Sequence, residues 1–250
     1  MQTTTLNKVP EVTLSFWLIK ILSTTVGETG ADYLAVNVGL GTLFTDAISA
    51  CLLLVALNWQ LRQPRYVPWV YWLSVVLLSV VGTQITDALT DGLGVSLYLS
   101  TGVFSLLLAT VFFLWHRRER TLSIHTIFTR RRELFYWSAI LFTFALGTAA
   151  GDLATEALGL GFRLGVLVFG ALIGAIYVAF RCGANPVLSF WLAYILTRPL
   201  GASLGDLLSQ APEYGGIGWG TVNTSIAFLL VIAALVAILS RTSSHPASQP

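Results

Sequence analysis

Four tryptophans set the frame of this chain. Gly27 and Asp32 follow Trp17 by ten and fifteen residues, Gly82 and Asp87 follow Trp72, Gly147 and Asp152 follow Trp137, and Gly201 and Asp206 follow Trp191. The pattern W-x9-G-x4-D thus occurs four times, at starts 55, 65 and 54 residues apart. A fixed period of this kind marks a repeat architecture, in which each copy is one supersecondary unit. The copies run over residues 12–65, 67–120, 132–182 and 186–241, within one domain spanning 1–250.

Each copy has room for two helices. The first runs over 12–36, 67–91, 133–157 and 186–209, and the second over 42–59, 95–115, 163–180 and 219–240. Between them lies a glycine-rich break: GLG at 39–41, DGLG at 91–94, GLG at 159–161 and PEYGGIGWG at 212–220. About 20 residues of helix cross the hydrocarbon of a bilayer. Only 10% of the residues are charged and the mean hydropathy is +0.77. A soluble domain carries about 25% charged residues, so a bilayer is the solvent that fits. The expected fold is an all-α integral membrane protein of eight transmembrane helices. An even number of spans per copy makes the repeats parallel, around a pseudo-symmetric axis. Open sheet edges are excluded in lipid.

Charge distribution gives a direction. Lys8, Arg62, Arg65, Arg117, Arg118, Arg120, Arg130, Arg131, Arg132, Arg181 and Arg241, 11 of the 14 basic residues, lie at the ends or between copies. The positive-inside rule then puts both termini in the cytoplasm, in a bacterial inner membrane. Trp17, Trp72, Trp137 and Trp191 are expected as interface anchors on that side. The arginine runs at 117–120 and 130–133 are read as facing anionic lipid, with no nucleic acid involved. The opening MQTTTLNKVPEV has no short apolar core before a small-residue cleavage site, so no cleaved signal peptide is expected. Cys51 and Cys182 share no ligand spacing and are expected as buried thiols.

The acids take the other side. Fifteen helical residues place each repeat Asp about 22 Å from its Trp along the axis. Polar residues recur at steps of about four: Lys20, Thr24, Glu28 and Asp32; Ser79, Thr83, Asp87 and Asp91; Thr148, Asp152 and Glu156; Arg198, Asp206 and Gln210. Such steps keep side chains on one stripe. Charges inside a membrane are costly against lipid, so the stripes should face one another. Glu28, Asp32, Asp87, Asp91, Asp152, Glu156 and Asp206, with Thr24, Thr25, Thr83 and Thr148, are the candidate cation pathway. Asp32, Asp87, Asp152 and Asp206 would ring a hard divalent cation through oxygen. Lys20 and Arg198 would tune their charge. Asp46 is a helix N-terminal charge or an extra ligand, and His116, His125 and His245 are solvated.

No phosphate loop, nucleophile elbow or HExxH is present, so no enzyme is expected. The leading expectation is a transporter or exporter of small cations, manganese or magnesium being the divalent candidates. The alternatives are a cation channel and a non-transporting scaffold or partner-binding protein. Lipid and the cation are the expected partners, and an oligomer is compatible. The repeats, and the stretch KVPEVTLSFWLIKILSTTVGE at 8–28, resemble a bacterial family of membrane-anchored proteins with four tandem repeats, each holding two spans and a Trp. The resemblance covers residues 12–240 and implies architecture; the family's function is unknown.

Overall fold

A computed structural model describes residues 7–36 and 42–244. The expected break at 39–41 and His245 lie outside the described residues. Among these residues the chain forms eight α-helices and no strand: α1 (Leu14–Val36), α2 (Thr42–Arg62), α3 (Pro68–Asp87), α4 (Leu97–Glu119), α5 (Arg130–Asp152), α6 (Gly161–Arg181), α7 (Pro186–Ser209) and α8 (Thr221–Ser244). Pro68 and Pro186 open α3 and α7, where a missing N–H costs no helical bond. Asn185 caps α7 by accepting from the N–H groups of Val187 and Leu188 at 2.9 and 3.1 Å. Arg120 ends α4 in the left-handed region at φ 57°. Gly94, Gly159, Gly161, Gly215, Gly218 and Gly220 occupy the same region in the turns between paired helices, which is why those breaks are rich in glycine.

Seven helices, α2 to α8, are long and apolar enough to cross a membrane. The eighth, α1, has the length at 23 residues but holds Lys20, Glu28 and Asp32 within it. Those charges are the reason it falls outside the set of seven, where eight were expected.

The helices sort into two layers. The first helices of the repeats form a closed inner ring, α1 on α3, α3 on α5, α5 on α7 and α7 on α1. The second helices stand outside, and each one leans on the first helix of the following repeat. Thus α2 covers α3, α4 covers α5, α6 covers α7, and α8 returns to cover α1. The outer helices leave large apolar side chains open along their length, such as Leu54, Leu106, Leu167 and Leu230. Cys51 and Cys182 are exposed on this outer layer, which corrects the expectation of buried thiols.

The repeat glycines explain how the inner ring closes. A Cβ on Gly27 would meet Ser79 of the next repeat, one on Gly82 would lie 2.6 Å from Phe144 Cβ, one on Gly147 would lie 2.4 Å from Arg198 Cβ, and one on Gly201 would meet Thr24. These four partners occupy the same register, seven residues after each repeat Trp. Each glycine therefore receives the side chain of its neighbour, and the last repeat receives the first. A backbone face without a side chain allows this close approach of helices.

The connections between repeats gather at one end. Tyr66 N–H donates to Asn7 O at 3.2 Å, and Lys8 N–H donates to Ile127 O at 2.9 Å, so the segment at Asn7 and Lys8 lies against the α2–α3 and α4–α5 links. Lys8 is buried there, bonded to Glu133 Oε2 at 2.6 Å and to Leu61 O at 3.2 Å, while Gln60 donates to Glu133 Oε1 at 3.2 Å.

Candidate functional site: a polar axis inside the bundle

The inner faces of α1, α3, α5 and α7 carry the stripes that the spacing predicts. Their centre is the guanidinium of Arg198, which is fully buried. Its Nη1 donates to Thr24 O at 3.2 Å; its Nη2 donates to Glu28 Oε2 at 2.6 Å, to Thr148 Oγ1 at 2.8 Å and to Thr83 Oγ1. A single side chain from the fourth repeat thus bonds to residues of the other three. Glu28, Thr83 and Thr148 share one register, eleven residues after their Trp, and the fourth repeat has Ala202 there. The small residue leaves room for Arg198, which rises one turn to fill that level. Pro199 interrupts the α7 hydrogen-bond ladder beside it and packs on Gly147 and Gly151.

One turn further stands the repeat Asp level. Asp206 is buried; Asp32, Asp87 and Asp152 are half-buried. All four lie within electrostatic range of Glu28 and of Arg198, so the structure brings the expected residues around one axis. They do not converge as a ligand set: among the described residues no group of three or more His, Cys, Asp or Glu is close enough to hold a metal ion. The expectation of Asp32, Asp87, Asp152 and Asp206 as direct metal ligands is corrected on this point. Helices generally pack with their axes about 8–10 Å apart, which keeps short side chains on separate helices from meeting at one point.

Asp91 and Glu156 follow, exposed at the open end of the axis. They sit in π-helical turns, Ala88–Gly92 and Leu153–Ala157, that begin directly after Asp87 and Asp152. Thr25 returns its hydroxyl to Ile21 O at 3.2 Å, and Thr24 Oγ1 donates to Thr197 O at 3.1 Å across the ring. Asp46 lies half-buried in the second turn of α2, and His116 and His125 are exposed, as expected.

On the other side of Arg198 the axis turns aromatic. Lys20 is fully buried, with its ammonium 4.1 Å from the ring centre of Phe144 and 4.3 Å from that of Tyr194. Below it, the hydroxyls of Tyr71 and Tyr136 share a hydrogen bond. Trp72, Trp137 and Trp191 are 2–4% exposed and pack in this cluster, with only Trp17 half-buried. They fill the bundle interior, which corrects the expectation of four outward-facing interface anchors. Trp191 Nε1 donates to Leu122 O at 3.0 Å and ties α7 to the link between α4 and α5. The polar stripes do not mark these tyrosines. The available signal was the residue before each repeat Trp, which is aromatic in all four copies: Phe16, Tyr71, Tyr136 and Phe190. A cavity of about 1050 Å³ lies elsewhere, on the flank between α6, α7 and the segment before α1.

Fold and site together define a four-repeat helical bundle with a charged axis through an apolar body. Comparison with protein families agrees: the Repeat of Unknown Function (DUF347) matches residues 15–66, 70–121, 135–181 and 189–245. The chain belongs to this repeat family. No curated protein and no solved structure matches it.

Proposed function

We propose that this is a multi-pass protein of a bacterial inner membrane, both termini cytoplasmic, that moves small cations along its carboxylate-lined axis. The observation that carries the reading is the axis itself. Glu28, Asp32, Asp87, Asp152 and Asp206 are gathered inside a bundle whose outer layer is apolar. Ionisable groups kept inside a membrane bundle usually serve a pathway or a pair. Asp91 and Glu156 at the open end draw cations in. Arg198 and Glu28 then close the axis, so a cation crosses only when that pair parts. This closure favours a gated transporter over an open channel. Manganese and magnesium, taken up hydrated, remain the divalent candidates.

Purified protein in liposomes, offered a panel of monovalent and divalent ions at two pH values, should take up at least one of them above protein-free liposomes. Asp87→Asn and Asp152→Asn should cut that uptake by about tenfold while the protein stays monodisperse, since each keeps shape but removes a charge from the axis. Wild-type uptake in both variants would sink the pathway.

Orientation is tested by single cysteines, after Cys51 and Cys182 are replaced by Ser because both are exposed. Cysteines at Gly94, Gly161 and Gly215 should label from the periplasm, and those at Arg65, Arg120 and Gly183 only after permeabilisation. Labelling of both sets from one side would refute parallel repeats across a membrane.

A second reading has its own observation. Arg198 bonds to three other repeats, as a staple would. A scaffold predicts no ion uptake under any condition above.

A further inference from the structure

The aromatic half of the axis is richer in polar atoms than a packed core requires. Lys20 Nζ, Tyr194 Oη, Trp137 Nε1 and Thr143 Oγ1 are buried with no hydrogen-bond partner in the protein, while Tyr66 Oη and the Trp72 indole N–H lie against each other. Buried polar groups in native proteins are satisfied, if not by protein then by ordered water. These atoms are not scattered. Tyr194 presents its ring to Lys20 and lies within electrostatic range of Tyr71. Tyr136 reaches both Tyr194 and Tyr66 in the same sense, and is bonded to Tyr71. Tyr66 has its ring centre 5.6 Å from that of Tyr71 and sits in the link between α2 and α3, at the end where the repeats are joined. Burial raises the Tyr66 phenol, so it stays protonated and able to donate.

We infer that Lys20 is a proton carrier, exchanging its proton with the cytoplasmic end through a relay of Tyr194, Tyr136, Tyr71 and Tyr66 and the waters between them. The inference rests on the proposed cation pathway and adds its coupling ion. In the step, an N–H bond of the Lys20 ammonium breaks. Each hydroxyl takes one proton on oxygen and releases its own, and water at the Tyr66 end receives the last. The amine regains a proton that enters from the acidic half of the axis. No redox change occurs, and every hydroxyl ends as it began. The charged group facing Lys20 is Arg198 from α7; Tyr194, Tyr136 and Tyr71 come from α7, α5 and α3. Arg198 cannot give up its proton, so it bars metal ions from this half without serving as a link. A cation at the Asp level and an ammonium at Lys20 repel, so loading one favours emptying the other.

The test uses liposomes with a trapped pH dye and a potassium–valinomycin potential. Wild-type protein should admit protons. The double variant Tyr71→Phe/Tyr136→Phe removes both hydroxyls together and leaves neither partner unpaired. It should slow proton entry at least about tenfold, as relay groups contribute on this scale. Lys20→Met should do the same. Proton entry equal in all three proteins, or none in the wild type, would overturn the relay. Cation uptake measured in parallel separates the two ideas. Uptake without proton movement sinks the relay alone, and proton movement without uptake of any ion sinks the cation pathway while keeping the relay.

Discussion

Replacing Arg198 with methionine should destabilise the protein by about 3–5 kcal/mol, the usual cost of removing one partner of a buried pair. The magnitude follows from burial, since the side chains of Arg198 and Glu28 are 0% and 9% exposed. The variant strands Glu28 and leaves Thr83 and Thr148 without their shared donor. Glu28→Gln should cost less, because an amide oxygen still accepts from Nη2. The double variant Arg198→Met/Glu28→Gln should recover most of the loss, because no charge of the pair is then left unpaired. Unfolding in a denaturing detergent titration measures all three. Flux through the folded double variant then separates the roles: faster, less selective uptake marks the pair as a gate, and unchanged uptake marks it as a staple.

The second large effect concerns the glycines. Gly147→Ala should destabilise by about 1–3 kcal/mol through overpacking, and Gly82→Ala similarly. The added methyl of the first would lie 2.4 Å from both Cβ and Cγ of Arg198, and that of the second 3.3 Å from the backbone nitrogen of Ala145. Gly170→Ala and Gly174→Ala are the controls. Both lie inside α6 with no atom within 4 Å of the new methyl, so helix propensity should make them neutral or stabilising by up to about 1 kcal/mol. If all four changes had the same effect on the detergent midpoint, the glycine-mediated closure of the ring would be wrong.

The difference between these glycines also shows what a linear reading reaches. Gly147 was marked by its fixed distance from Trp137 and Asp152, and the period carried the inner helices and their stripes to within a few residues of the observed bounds. Side-chain direction was harder to read. An indole suits both a membrane interface and an aromatic core, so the spacing alone does not reveal that Trp72, Trp137 and Trp191 face inward. Arg198 was legible as a charge on a stripe, but its reach into the Glu28 level was not. That depends on Ala202, whose meaning appears only once the four registers are superposed in space. The separation of the repeat Asp residues was hidden for a related reason: equal depth along an axis says nothing about the radius at which each residue stands. Pairing of each outer helix with the following repeat leaves no mark on periodicity, because either neighbour offers the same apolar stripe.

The return of α8 onto α1 has a consequence for how such a ring can be specialised. A head-to-tail contact that closes after four steps is the geometry of a cyclic homotetramer. In a homotetramer, however, any residue near the axis is present four times. Four guanidiniums could not share the space that Arg198 fills, and four lysines could not share the site of Lys20. Fusion into one polypeptide lifts that constraint. It lets one arginine face one glutamate and two threonines, and one lysine rest on one phenylalanine and one tyrosine, while the shared glycines still hold the ring shut. The covalent links thus make an asymmetric interior compatible with a repeating frame.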